Sequence, residues 1–268
     1  MKLRSAYAGL ALALLLAGGL SAQEPVVTGS TSFSLFNRYL FRGYEYSGEN
    51  GVLQPSLAVT TSGFTLSFWG NIDTEEEATP SFVPDRPGRK SFNEADLSLS
   101  YTRAVGKWSL TAGWVYYGTK YATETQELWL GAAYDSIGKP TLTVYRDIDA
   151  YPGTYINLAL AHSVAMGPAV TLDLGASAGY FIGDSDYWKT YDAAGSAYTG
   201  EKYRAAHDGM LKAGLTVPLG AGVSFQPVIQ YYFPLSSEAG RTIDGASCNP
   251  GGRLEKTVVY GATLALAF

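Results

Sequence analysis

The sequence predicts an all-β protein: a transmembrane, up-and-down antiparallel β-barrel of about twelve strands, preceded by an N-terminal signal peptide. Three observations predict it. Apolar residues alternate with small or polar ones along each extended segment, long polar connections alternate with tight turns, and aromatics gather at both ends of the segments. Successive side chains of a strand point to opposite faces, so a strand with lipid on one side and water on the other reads this way. Lys256–Phe268 is the plainest case. Val258, Tyr260, Ala262, Leu264, Leu266 and Phe268 share one apolar face, backed by Thr257, Val259, Gly261, Thr263, Ala265 and Ala267. Exposed at the edge of a soluble sheet, that ribbon would invite aggregation, so a partner strand is expected.

At the other end, Lys2 and Arg4 precede an apolar run from Ala8 to Leu16 and the small residues Ala17-Gly-Gly-Leu-Ser-Ala22. A positive start, a short apolar core and small residues predict a cleaved secretory signal over residues 1–22, leaving residues 23–268 as one barrel. The apolar run is too short to cross a bilayer as a helix, and no later window offers the roughly 20 apolar residues such a helix needs. Losing Lys2 and Arg4 takes the formal charge from −5 to −7. That mild acidity, with no basic cluster, argues against nucleic acid as a partner. Cys248 is the single cysteine, which excludes an intramolecular disulfide framework and a cysteine zinc site. The composition suggests no cofactor and no metal. The 20 tyrosines suit a membrane–water boundary, where one end of the ring is apolar and the other wet.

The predicted strands run 28–39, 52–62, 63–72, 92–104, 107–117, 125–135, 141–148, 154–166, 169–182, 205–218, 222–234 and 255–268. Ser62-Gly63, Val105-Gly106, Ser136–Pro140, Gly167-Pro168 and Leu219–Ala221 are tight turns, whereas the intervening connections are mostly long and polar. This asymmetry is expected when each hairpin has one end outside the cell and one in the periplasm, with both termini on the short-turn side. A soluble sandwich also alternates, so the aromatics discriminate. Phe64, Tyr101, Trp108, Tyr134, Phe225 and Phe268 fall beside the short turns. Tyr39, Phe68, Phe92, Tyr116, Tyr151, Tyr180, Tyr231 and Phe233 fall toward the long loops. Aliphatic residues such as Leu97, Leu99, Leu130, Leu158 and Leu172 lie between them, as in the two aromatic girdles of a barrel in lipid.

The first hairpin, Phe33-Ser-Leu-Phe-Asn-Arg-Tyr-Leu-Phe-Arg-Gly-Tyr-Glu45, is followed by Leu53-Gln-Pro-Ser-Leu57 and Ser62-Gly-Phe-Thr-Leu-Ser-Phe-Trp-Gly-Asn-Ile-Asp73. These residues resemble the opening of the TorF-like porin family of proteobacterial outer membranes. In that family the first strand runs into Tyr-x-Phe-Arg-Gly and the third carries Gly-Phe…Trp-Gly-Ser/Asn. The match covers roughly the first quarter of the mature chain. It implies a transport role and brings no ligand or catalytic residue with it. The apolar last strand ending in Phe268 likewise resembles the closing strand of outer-membrane barrels, whose terminal aromatic is read by the barrel-assembly machinery.

Charge is costly near the bilayer midplane and cheap inside a wet barrel. By parity Arg38, Arg42, Asp73, Glu94, Asp96, Glu127, Asp135, Asp147, Asp173, Asp208, Lys212 and Glu255 face the lumen, with Arg38 and Arg42 on the inward face of the first strand and Asp135 and Glu255 solvated near the barrel ends. The candidate selectivity residues among them are Arg38, Arg42, Asp73, Asp96, Glu127, Asp147, Asp173, Asp208 and Lys212: either they set a transverse field that filters charged solutes, or they pair and fill the interior. Twelve strands lie between filled eight-stranded barrels and wide channels of about sixteen, so a narrow or loop-occluded pore is expected. Glu75-Glu-Glu77 reads as a solvated loop, with binding of cations among lipopolysaccharide phosphates as the alternative. Asp184-Ser-Asp186 lacks the further ligands of a calcium loop. His162 and Ser163 are adjacent on one strand and point to opposite faces, so they cannot serve each other as base and nucleophile. The expected function is a porin-like channel for passive diffusion of small polar or charged solutes. It would not be an enzyme, and its partners would be outer-membrane lipid and lipopolysaccharide. A structural or adhesive barrel with an occluded lumen, or an outer-membrane lipase or protease, are the alternatives.

Overall fold

The computed structural model describes residues 26–191, 198–240, 242–243, 246–247 and 249–268. The predicted signal segment and Cys248 lie outside them. Twelve antiparallel strands close into a single barrel in chain order. They are β1 (Val27–Phe36), β2 (Val52–Thr61), β3 (Phe64–Asp73), β4 (Ser91–Val105), β5 (Trp108–Thr119) and β6 (Thr125–Tyr134). The second half comprises β7 (Thr141–Asp147), β8 (Gly153–Ala165), β9 (Thr171–Gly183), β10 (Arg204–Gly220), β11 (Val223–Pro234) and β12 (Thr257–Ala267). β1 and β12 pair from Ser30↔Ala267 to Phe36↔Gly261 and seal the sheet. Phe268 completes the seam, donating its N–H to the Gly29 carbonyl at 2.9 Å and accepting the Gly29 N–H at 2.7 Å. Closure leaves no strand edge to pair with another chain.

All tight turns lie at the end that holds Val27 and Phe268. The turn Ser62-Gly63 has φ of 51° and 84°, the left-handed pair that a two-residue hairpin needs to match strand twist.

The outward faces are apolar and uncovered. Leu66, Leu99, Leu130, Leu158 and Leu264 each leave about half of their surface exposed, so no second sheet packs on them. A continuous ring of such residues is stable in hydrocarbon and not in water. Phe64 pairs with Tyr101 and Trp108 with Tyr134, ring centroids 4.7 and 4.8 Å apart, at the short-turn rim. Phe68, Phe92, Tyr180 and Tyr231 are exposed toward the loops. The chain is therefore a bacterial outer-membrane β-barrel. No described helix is long and apolar enough to cross a membrane.

Two of the predicted girdle aromatics point inward instead: Tyr39 is buried and Tyr151 lines a cavity. The reason lies at the top of β1. That strand stops at Phe36 rather than Tyr39. Asn37 Oδ1 accepts the Tyr260 N–H at 2.9 Å, where the next ladder pair would form. The Asn37 N–H still reaches the Tyr260 carbonyl at 3.0 Å, and with the Tyr260 N–H taken by a side chain the backbone leaves the sheet just after Asn37 and turns into the lumen.

Inside, the short-turn half carries small hydroxyl pairs between neighbouring strands. Ser32–Ser56, Ser34–Thr263, Thr60–Thr65 and Thr102–Thr111 lie 2.7 to 2.9 Å apart. These side chains are too short to meet across the barrel.

Candidate functional site: a hairpin across the lumen

The connection between β1 and β2 is a small hairpin, Tyr39–Phe41 against Tyr44–Ser47. Arg42 and Gly43 form its turn with φ of 50° and 78°. Glycine tolerates that conformation readily, and an arginine there costs on the order of 1 kcal/mol. What holds Arg42 is its far end. Its Nη1 and Nη2 each donate to Glu127 of β6 at 2.7 Å, and the Tyr117 hydroxyl of β5 donates to the same carboxylate at 2.9 Å. The guanidinium carbon sits 4.4 to 4.7 Å from the ring centroids of Phe41, Tyr145 and Tyr155. Because β6 lies on the far side of the closed strand order from β1, this hairpin spans the lumen.

Arg42 therefore does not lie on the inward face of the first strand, and Arg38 does not either; both belong to the inserted segment. Arg38 pairs with Glu45 within the hairpin at 2.7 Å and with Glu49. From the loop side, Tyr44 packs in a buried cluster with Ala239 and Leu254, and its hydroxyl lies 2.8 Å from Asn249 Nδ2. The Thr79 hydroxyl donates to the Glu45 carbonyl.

The inserted layer lies between two cavities that share Phe41 and Tyr117 as lining. The one beneath has a volume of about 360 Å³ and is bounded by Ser67, Trp69, Asp96, Ser98, Trp129 and Tyr145, among others. The other, at the loop end, has a volume of about 100 Å³ and is lined by Tyr44, Tyr46, Glu94, Tyr121, Tyr151, Tyr187 and Trp188, among others. Burial pushes the Tyr187 hydroxyl up to about 12, so this ring is neutral at physiological pH.

Of the sequence-predicted residues, Arg42 and Glu127 are brought into direct contact, with Asp147 beside Glu127 on β7. Asp147 is occupied by its own strand end: it accepts from the Thr125 hydroxyl at 2.7 Å and from the N–H groups of Asp149 and Tyr151. Asp73 accepts the Glu75 N–H at 2.9 Å. Asp208 accepts from the Tyr155 hydroxyl at 2.8 Å. This bond passes over Gly179, where an added Cβ would fall 2.1 Å from Asp208 Oδ1. Asp173 accepts from Ser163 and Thr216 at 2.6 and 2.7 Å, well below the hairpin. Lys212, paired in register with Gly175 and Gln230, faces the open lower lumen.

The site residues that sequence reasoning missed are Tyr117, Tyr145 and Tyr155. Their signal was present: parity turns Trp129, Tyr145 and Tyr155 inward, and register sets them side by side on β6, β7 and β8. Glu76 departs from its solvated-loop reading, being buried and paired with Lys120 at 3.0 Å. His162 faces outward while Ser163 turns in toward Asp173. His207 is buried, with Nδ1 2.7 Å from the Tyr203 hydroxyl. Asp184 pairs with Arg146, and Asp186 lies 3.5 Å from Lys189. No group of three or more potential metal ligands occurs among the described residues.

No known family profile matches the chain, and no curated protein does. Solved structures match in fold. An outer-membrane channel from Pseudomonas putida F1 aligns at a TM-score of 0.50 and 9% identity over 94% of this chain and 98% of its own. The NanC porin aligns at 0.48 and 9% over 90% and 99%. LpxR from Salmonella typhimurium aligns at 0.45 and 10% over 88% and 99%. At such identities the likeness concerns the barrel architecture.

Proposed function

We propose that this barrel is a porin-like channel for passive diffusion of small polar solutes, preferring cations, through a lumen narrowed by the Tyr39–Ser47 hairpin. The observation that carries this is the cavity of about 360 Å³ beneath the hairpin, lined by aromatic rings together with Asp96, Ser67 and Ser98. A barrel whose interior served only as a core would fill that space with side chains. The sign of the preference follows from pairing. Arg42 and Arg38 are neutralised by Glu127 and Glu45, which leaves Glu94, Asp96, Asp147, Asp173 and Asp208 against Lys212 along the path. An excess of carboxylates over cationic side chains along a pore favours cations. The finer likeness to TorF-like porins rests on Tyr39-Leu-Phe-Arg-Gly43, which forms one arm and the turn of the inserted hairpin. In this reading the loops face lipopolysaccharide, both termini are periplasmic, and Phe268 is the residue presented to the assembly machinery.

The reading is also of a non-catalytic protein. His162 faces away from Ser163, and turnover of phospholipid in mixed micelles would overturn that part. One observation favours a second reading, a structural barrel with a sealed lumen: the two-pronged Arg42–Glu127 bridge spans the interior. Planar-bilayer recording of the purified protein separates the two. Discrete conductance steps, with a reversal potential on the cation side in a KCl gradient, support the channel. Silence at every voltage, persisting after residues 38–48 are replaced by a short Gly-Ser linker, rejects it.

A further inference from the structure

We propose that the loop-end cavity is a binding site for a small organic ammonium ion of the quaternary class. This deepens the channel reading, on which it rests, by giving the cavity at its outer mouth a ligand.

The lining is chiefly aromatic. Tyr46 and Tyr121 stack with centroids 4.7 Å apart, and Tyr151, Tyr187 and Trp188 form a second group at 4.5 and 5.0 Å. Ring faces carry negative quadrupole density and attract poorly hydrated cations. The same assembly already holds one: the Arg42 guanidinium at its floor lies over three rings. Glu94 supplies the carboxyl group. It lines the cavity, is 5% exposed, and its Oε2 has no hydrogen-bond partner among the described residues. A buried carboxylate oxygen left unsatisfied is costly, and a ligand cation beside it removes that cost. Arg42, the one cation among the lining residues described, is already paired with Glu127. Asp147 is filled by its own hydrogen bonds.

Size and chemistry narrow the class. A water molecule needs about 10–15 Å³ of such space, so a cavity of about 100 Å³ admits a small organic ion. A hard inorganic ion such as calcium requires six or more oxygen ligands. Here rings outnumber carboxylates, which suits an alkylated ammonium.

The test is calorimetric titration of the full chain in a maltoside detergent with choline, against its neutral carbon analogue 3,3-dimethylbutan-1-ol. Choline is expected to bind, tetramethylammonium to compete with it, and the neutral analogue to bind at least about tenfold more weakly. Glu94→Gln is expected to weaken choline binding by about tenfold or more and Tyr187→Leu by several-fold. Equal binding of the neutral analogue, or no choline binding by wild-type protein, overturns the proposal without recourse to variants. The assay involves no flux. Choline binding by a silent barrel would sink only the channel reading, and a conducting barrel that ignores choline would sink only this one.

Discussion

Replacing Glu127 by glutamine should loosen the hairpin's grip on the far wall. The Arg42 and Glu127 side chains are 10% and 6% exposed, and the contact is two-pronged at 2.7 Å. Removing one partner of a buried ion pair costs about 3–5 kcal/mol, because the other charge is left without compensation. Glutamine keeps one carbonyl oxygen and so retains a hydrogen bond of about 1 kcal/mol. The three rings around the guanidinium are unchanged and cancel in the comparison. The net loss is about 2–4 kcal/mol, so the population with the hairpin withdrawn should rise by about thirty- to several-hundred-fold. In planar bilayers this reads as longer dwell in a larger-conductance state, and in liposome swelling as faster uptake of small polar solutes. The double variant Arg42→Met, Glu127→Leu supplies the control, because well-packed apolar replacements of a buried pair are often neutral or stabilising. It should return the conductance toward wild type. If Glu127→Gln matched wild type in both dwell and amplitude, the bridge would not hold the hairpin and the reasoning would fail.

Leu158→Arg places a charge midway along β8 on the lipid side, where the penalty is about 2–4 kcal/mol. Denaturant unfolding in vesicles should show it, and a change under about 0.5 kcal/mol would contradict the lipid-facing assignment. At the β1–β12 seam, a Cβ on Gly261 would fall 2.0 Å from the Leu35 carbonyl oxygen. Gly261→Ala should therefore impair closure, read as loss of the fast-migrating folded band in unheated gels, whereas normal folding would show that the seam can shift. Lys212→Glu should move the reversal potential further toward cations with little effect on stability, because this side chain stands in the open lower lumen. An unchanged potential would mean that the permeating ion does not pass it.

The sequence by itself determined the sheet. Period-2 alternation runs along the strands, broken only at register shifts such as Asn71/Ile72, Ala178/Tyr180 and Pro218/Gly220, because each has a greasy and a wet side, and short turns such as Ser62-Gly63 declare themselves through glycine at positive φ. Strand number, in/out parity and the rims therefore followed from local chemistry, and the observed ends lie within a few residues of those expected. Parity also turned Glu127, Asp147 and Asp208 inward correctly. What tertiary structure alone decided is what those residues do. Arg42 and Glu127 lie 85 positions apart, and nothing local reveals that they meet. Asn37 ended β1 by satisfying Tyr260 through its side chain, a substitution that alternation cannot register because the following residues still alternate. The chain thereby left the wall, carrying Arg38, Tyr39 and Arg42 into the lumen. Whether a charge faces water, an ion-pair partner or an aromatic cage depends on which strands close the circle opposite it, and closure is a property of the whole barrel.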